Sequence, residues 1–138
     1  MVCPIRIHRS FAGFLAGLIL LFSVLMIPDG WAQEYLAEIP DFPIMEGLTE
    51  LAEARVVFDK PDGRIVTAAL EGSVALANAR NFYLTSLGEL GWRLTQESGN
   101  SAIYRFEREQ EILTLRFQAG PDYLTVEIAL GPRAGVEY

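Results

Sequence analysis

The sequence predicts an α+β domain in which one amphipathic helix packs on a mainly antiparallel sheet: an N-terminal hairpin, the helix, then a four-strand meander. Three observations predict it. The stretch from Gly72 to Trp92 has helical periodicity with both ends marked, ARVVFD-KPDG-RIVTAALEG reads as two strands around a tight turn, and four short alternating runs follow the helix.

The chain of 138 residues opens with Arg6 and Arg9 and no acid, followed by an unbroken apolar run from Phe11 to Ile27. That order of charge and apolar core is export architecture. Residues 1–32 are read as a signal peptide, with cleavage after Ala32 following the small residues Gly30 and Ala32, or as an uncleaved membrane anchor. The apolar run lies between a typical signal core and the roughly 20 residues that span a bilayer, which keeps both readings open. The protein is therefore expected in the periplasm, or held at the inner membrane through its N-terminal segment.

Cysteine and histidine usage narrows the chemistry. Cys3 and His8, the only residues of their kinds, both lie in that first segment, and Lys60 is the single lysine. A mature domain would have no thiol, no imidazole and none of the usual nitrogen or sulfur metal ligands, so neither a metal, a cofactor nor catalysis is expected. The net charge is −7. An anionic surface lacks the basic footprint that nucleic acid requires and is repelled by acidic lipid.

Residues 33–52 are read as an extended tether, since Pro40 and Pro43 push their predecessors out of helical conformation. Its Leu36, Ile39, Phe42, Ile44 and Leu48 are too apolar for a free linker. The segment either lies across the domain or adheres to a partner.

The domain proper is placed at 53–131, with 132–138 as a frayed tail. Pro61, Asp62 and Gly63 form the first turn, pairing Val57 with Val66 and Phe58 with Ile65. In the helix, Ser73 is the expected N-cap, and Leu76, Ala79, Tyr83, Leu87 and Leu90 form the apolar stripe, with Phe82 at its edge. Gly91 ends the helix by taking the left-handed conformation, and Trp92 opens the next strand.

The meander's alternation sets an apolar face of Trp92, Leu94, Tyr104, Phe106, Leu113, Leu115, Phe117, Leu124, Val126, Ile128 and Leu130. The expected pairs are Arg108 with Glu111, Phe106 with Leu113, Phe117 with Leu124, and Trp92 with Phe106. This register sets Arg93 opposite Arg105 on the solvent face, near Arg116 and Tyr123. Two like charges opposed across strands call for a counter-anion. Arg93, Arg105, Arg116 and Tyr123 are thus the candidate site for an anion or an acidic loop of an envelope protein partner. The bland reading is a solvated face neutralised by Glu107 and Glu127. Phe82, Tyr83 and Trp92 are the alternative site, an apolar pocket between helix and sheet that would suit a small carrier. Glu107, Glu109 and Glu111 do not converge, because Glu107 and Glu111 fall on opposite faces, so they suit neither a hard cation nor glycosyl transfer.

The pattern Phe82-Tyr83, Leu87, Leu90-Gly91-Trp92, followed by strands carrying Tyr104, Phe106, Leu113 and Leu115, resembles a loose group of small exported proteins of Gram-negative bacteria. FPIMEGL and VVFDKPDGRIV upstream look like theirs. The resemblance implies a fold and an envelope location and carries no activity.

Overall fold

Two backbone reversals that only local chemistry can make frame the fold, which was described from a computed structural model over residues 32–99 and 102–133. Of the signal-or-anchor segment 1–32, residues 1–31 lie outside the described residues, as do 134–138 of the expected tail; Pro132 instead pairs with Glu111 and the Arg133 N–H donates to the Gln110 carbonyl, so the ladder holds the chain past the expected end at 131. Strand β2 (Val56–Lys60) turns at Pro61-Asp62 into β3 (Gly63–Gly72), with Val57 opposite Val66 and Phe58 opposite Ile65 as the turn chemistry predicts. Helix α1 (Leu76–Glu89) closes at Gly91, whose φ is +85°. There the Gly91 N–H donates to the Gly88 carbonyl and the Trp92 N–H to Leu87, which satisfies the last carbonyls as a Schellman motif does.

The other end of α1 departs from expectation. Ala75 occupies the N-cap with no side-chain cap, and the Ser73 hydroxyl instead donates to the Asp122 carbonyl at 3.0 Å. Ser73 thereby ties the helix approach to the loop that precedes the last strand.

Four strands follow: β4 (Arg93–Ser98), β5 (Ile103–Arg108), β6 (Glu111–Ala119) and β7 (Leu124–Pro132). With a short β1 (Thr49–Glu50) they complete a seven-stranded sheet of order β1-β3-β7-β6-β5-β4, in which β2 shares an edge of β3 with β1. Every pairing is antiparallel. A 3-10 turn at Ala52–Ala54 separates β1 from β2. Because β7 returns to pair with β3, the last strand lies in the middle of the sheet.

Two registers differ from those read in the sequence. Phe117 faces Val126 instead of Leu124, a slip of two residues that keeps every side chain on its expected face. Between β4 and β5 a bulge at Thr95 breaks the ladder, so Leu94 faces Phe106 and Gln96 faces Arg105. Trp92 is buried as expected, but Leu94 on the outer strand is 39 % exposed.

The core lies on one face of the sheet. Val66, Leu70, Leu113, Leu115, Val126 and Ile128 are all buried there, and Ala79, Tyr83 and Leu87 of α1 pack into the same cluster. Leu76 and Leu90, at the ends of the stripe, remain partly exposed. The helix alone is too narrow to cover this face, and the segment before β1 supplies the rest. The Leu36 N–H donates to Phe42, the Phe42 N–H to Ile39, and the Ile44 N–H to Glu34, which folds the segment into a closed loop. Leu36, Ile39, Phe42, Ile44 and Leu48 are buried in the core, each burial stabilising by about 1.5–3 kcal/mol. The segment is thus part of the domain's packing and no extended tether.

Candidate functional site

Strand alternation that buries one face of the sheet exposes the other, and no helix covers it among the described residues. Ile65, Thr67 and Ala69 of β3, Ile112 and Thr114 of β6, and Glu127, Ala129 and Gly131 of β7 lie on this free face. The side chains shrink along β7 from Glu127 to Gly131. The surface therefore sinks into a trough of about 780 Å³, floored by Ile65, Ile112, Ala129 and Gly131. Lys60, Arg105 and Arg133 stand around it, with Asp62 at the β2–β3 turn. A smaller hollow of about 350 Å³ continues past Thr114 and Ala129 toward Thr67 and Arg116.

The arginines are arranged differently from the expected register. Arg93 faces Glu107 rather than Arg105, with the charged groups 3.6 Å apart, so no like-charge pair forms. The pairing of Ser98 with Ile103 is the cause: it displaces the β4–β5 ladder by three residues from the expected register, and the Thr95 bulge takes back only one of them, while the Thr95 hydroxyl donates to the Arg105 carbonyl at 3.2 Å. Arg105 faces Gln96 and Thr114 and has no ion-pair partner among the described residues. Arg116 lies opposite Glu127 at 3.8 Å, and Gln118 also donates to that carboxylate at 2.6 Å. Tyr123 stands apart, in the loop before β7, where its carbonyl accepts from the Gly120 N–H and its ring covers Gly120. Of the four candidates, the structure brings only Arg105 into the trough.

Lys60 and Arg133, which complete the cationic rim, were not expected there. Arg133 is held by its N–H to the Gln110 carbonyl at 2.6 Å and by an ion pair with Glu107. The readable signal was the small pair Ala129 and Gly131 at outward positions of β7, which leaves room for neighbouring long side chains to surround a depression.

The alternative apolar pocket is filled by its own residues. Tyr83 stacks on Phe42 at 5.2 Å, meets Phe82 edge-on at 5.1 Å and touches Phe117 at 6.2 Å. Burial raises the pKa of its phenol, against a small opposing effect of the Met45 N–H that its hydroxyl accepts. Trp92 is buried beneath the Arg108 guanidinium, 4.2 Å from its ring. These three aromatics are packing residues of the helix-sheet interface.

Among the described residues no three His, Cys, Asp or Glu side chains gather in a metal-binding group, and no helix is long and apolar enough to cross a membrane. No known family model, curated protein or solved structure matches the chain. The arrangement can hold an acidic group at Arg105 and Lys60 while an apolar side chain rests on the floor between Ile65 and Ile112.

Proposed function

We propose that this protein is a non-enzymatic, exported module of a bacterial cell envelope that receives a protein partner on the free face of its sheet. The observation that carries the reading is the trough. On a chain of net charge −7, the trough gathers Lys60, Arg105 and Arg133 around an apolar floor, and Arg105 and Lys60 have no ion-pair partner among the described residues. Such a surface complements a segment carrying carboxylates beside apolar side chains. A periplasmic location, free or tethered to the inner membrane, is supported by the apolar run that follows Arg6 and Arg9 at the N-terminus.

The test is a pull-down from envelope extract of the protein's own host, comparing the native chain with the double variant Arg105→Glu, Lys60→Glu. Both positions are solvent-facing, so stability should change by no more than about 0.5 kcal/mol. Loss of retained partners at unchanged melting temperature is expected. An unchanged set of partners would defeat the assignment of the trough.

A further inference from the structure

The two outer edges of the sheet are built in opposite ways. Strand β4 carries Arg93 and Glu97 and is interrupted by the Thr95 bulge, the means by which sheet edges are guarded against pairing with another chain. Strand β2 has no bulge, and its charged residues, Asp59 and Lys60, stand together at its turn end. It is straight, and Val56, Val57 and Phe58 follow one another in the open, with Phe58 60 % exposed.

We infer that β2 pairs antiparallel with β2 of a second copy of this chain, across a two-fold axis at Phe58. The hydrogen-bonding alternation of the hairpin sets the register. Lys60 and Gly63, flanking a two-residue turn, form a hydrogen-bonded pair, so Phe58 and Val56 also bond inward to β3. Val57 and Asp59 then direct their N–H and C=O groups outward. The free edge ends there on both sides, because the Arg55 N–H already donates to the Ala52 carbonyl and Pro61 has no N–H. An edge with two free residues placed symmetrically about Phe58 is self-complementary: Val57 of one copy meets Asp59 of the other, twice.

The side chains agree with this register. On the free face Phe58 meets its own counterpart, and each Val56 lies beside the aliphatic stem of Lys60 of the second copy. On the other face Arg55, already paired with Glu50 of its own chain at 2.8 Å, is diagonal to Asp59 of the second copy and offsets part of the approach of the two Asp59 carboxylates. Asp59 has no ion-pair partner within its own chain among the described residues. Strands this short bury less than the roughly 1,200 Å² of a standard stable interface, so the pairing is reversible. It joins the two sheets into one and sets two cationic troughs on the same face of the joined sheet.

Full-length protein in a Cys3→Ser background, exported in a Gram-negative host and mildly oxidised in the envelope fraction, tests the pairing on a non-reducing gel. Phe58→Cys places two thiols at a non-hydrogen-bonded pair, the closest cross-strand approach, and should yield about tenfold more disulfide-linked dimer than Val57→Cys. Adding Val57→Pro to Phe58→Cys removes an outward N–H and no bond to β3; it should abolish the dimer while protease resistance of the domain is kept. Adding Arg105→Glu should leave the dimer unchanged, which separates this contact from binding at the trough. Equal cross-linking at Phe58→Cys and Val57→Cys, or no dimer at either, would overturn the inference.

Discussion

The ring of Phe42 lies on that of Tyr83, centroids 5.2 Å apart and planes inclined by 24°. One comes from the loop before the first strand and the other from the middle of α1, so the stack fastens the N-terminal loop to the helix. Phe42→Ala should cost about 3–5 kcal/mol, as for other large aromatics removed from a packed core. Urea unfolding measures it, and a loss below about 1 kcal/mol would show the loop to be peripheral.

Tyr83 also gives the fold an alkaline limit. In the unfolded chain the phenol ionises near its ordinary value of 10.0, whereas burial raises its pKa in the folded state. Above about pH 10 the unfolded state therefore holds fewer protons than the folded one, and stability falls as pH rises. Tyr83→Phe removes this loss, at a cost of about 1 kcal/mol for the unpaired Met45 N–H. Urea midpoints at about pH 8 and pH 11 should diverge more for the native protein than for the variant.

Where the chain's instructions are local, the sequence could be read directly. Gly91 needs only its missing Cβ to end α1, and Pro61-Asp62 needs only its own backbone preferences to set the β2–β3 register. The core face of the meander was also legible, because a slip of two residues between β6 and β7 leaves the same side chains inward. What could not be read were features decided by tertiary contact. The Thr95 bulge has no glycine to announce it, and the pairing of Ser98 with Ile103, less the one residue of that bulge, moves Arg93 from Arg105 to Glu107. Ser73 had an N-cap's chemistry, yet the Asp122 carbonyl competed for its hydroxyl. The trough depends on Lys60, Arg105 and Arg133 meeting from three separate strands or strand ends, which no window of sequence contains.

Gly72 crosses the backbone of Gly47 at a distance that only a glycine at 72 allows. A Cβ at Gly72 would fall inside the van der Waals contact distance of the Gly47 carbonyl oxygen, and Gly47 itself has a φ of +87°. Gly72→Ala should destabilise by about 3 kcal/mol or more, since backbone must move to relieve the clash. Gly88→Ala, in α1 with open space around it, should instead stabilise by roughly 0.5–1 kcal/mol. Thermal melts of the two variants should shift in opposite directions.

Arg108 joins three parts of the structure. Its guanidinium lies over Trp92, donates to the Leu90 carbonyl at 3.3 Å and pairs with Asp41 of the N-terminal loop. Arg108→Ala should cost about 1–3 kcal/mol through loss of the aromatic contact and the carbonyl at the helix end. Arg108→Lys should recover only part of it, because a point charge cannot cover the ring and reach both oxygens. Melting temperatures of the two variants decide the order.

The strand made last, β7, is also the one between β3 and β6, with Leu124, Val126 and Ile128 fully enclosed. Until it arrives, the hairpin and the meander share no ladder, and the apolar faces of both stay open. Closing the sheet joins residues far apart along the chain, such as Val66 with Leu130, so folding waits until β7 has been made. A chain that cannot lock its centre early remains threadable for longer, which is the condition that the proposed export through a narrow membrane channel would need.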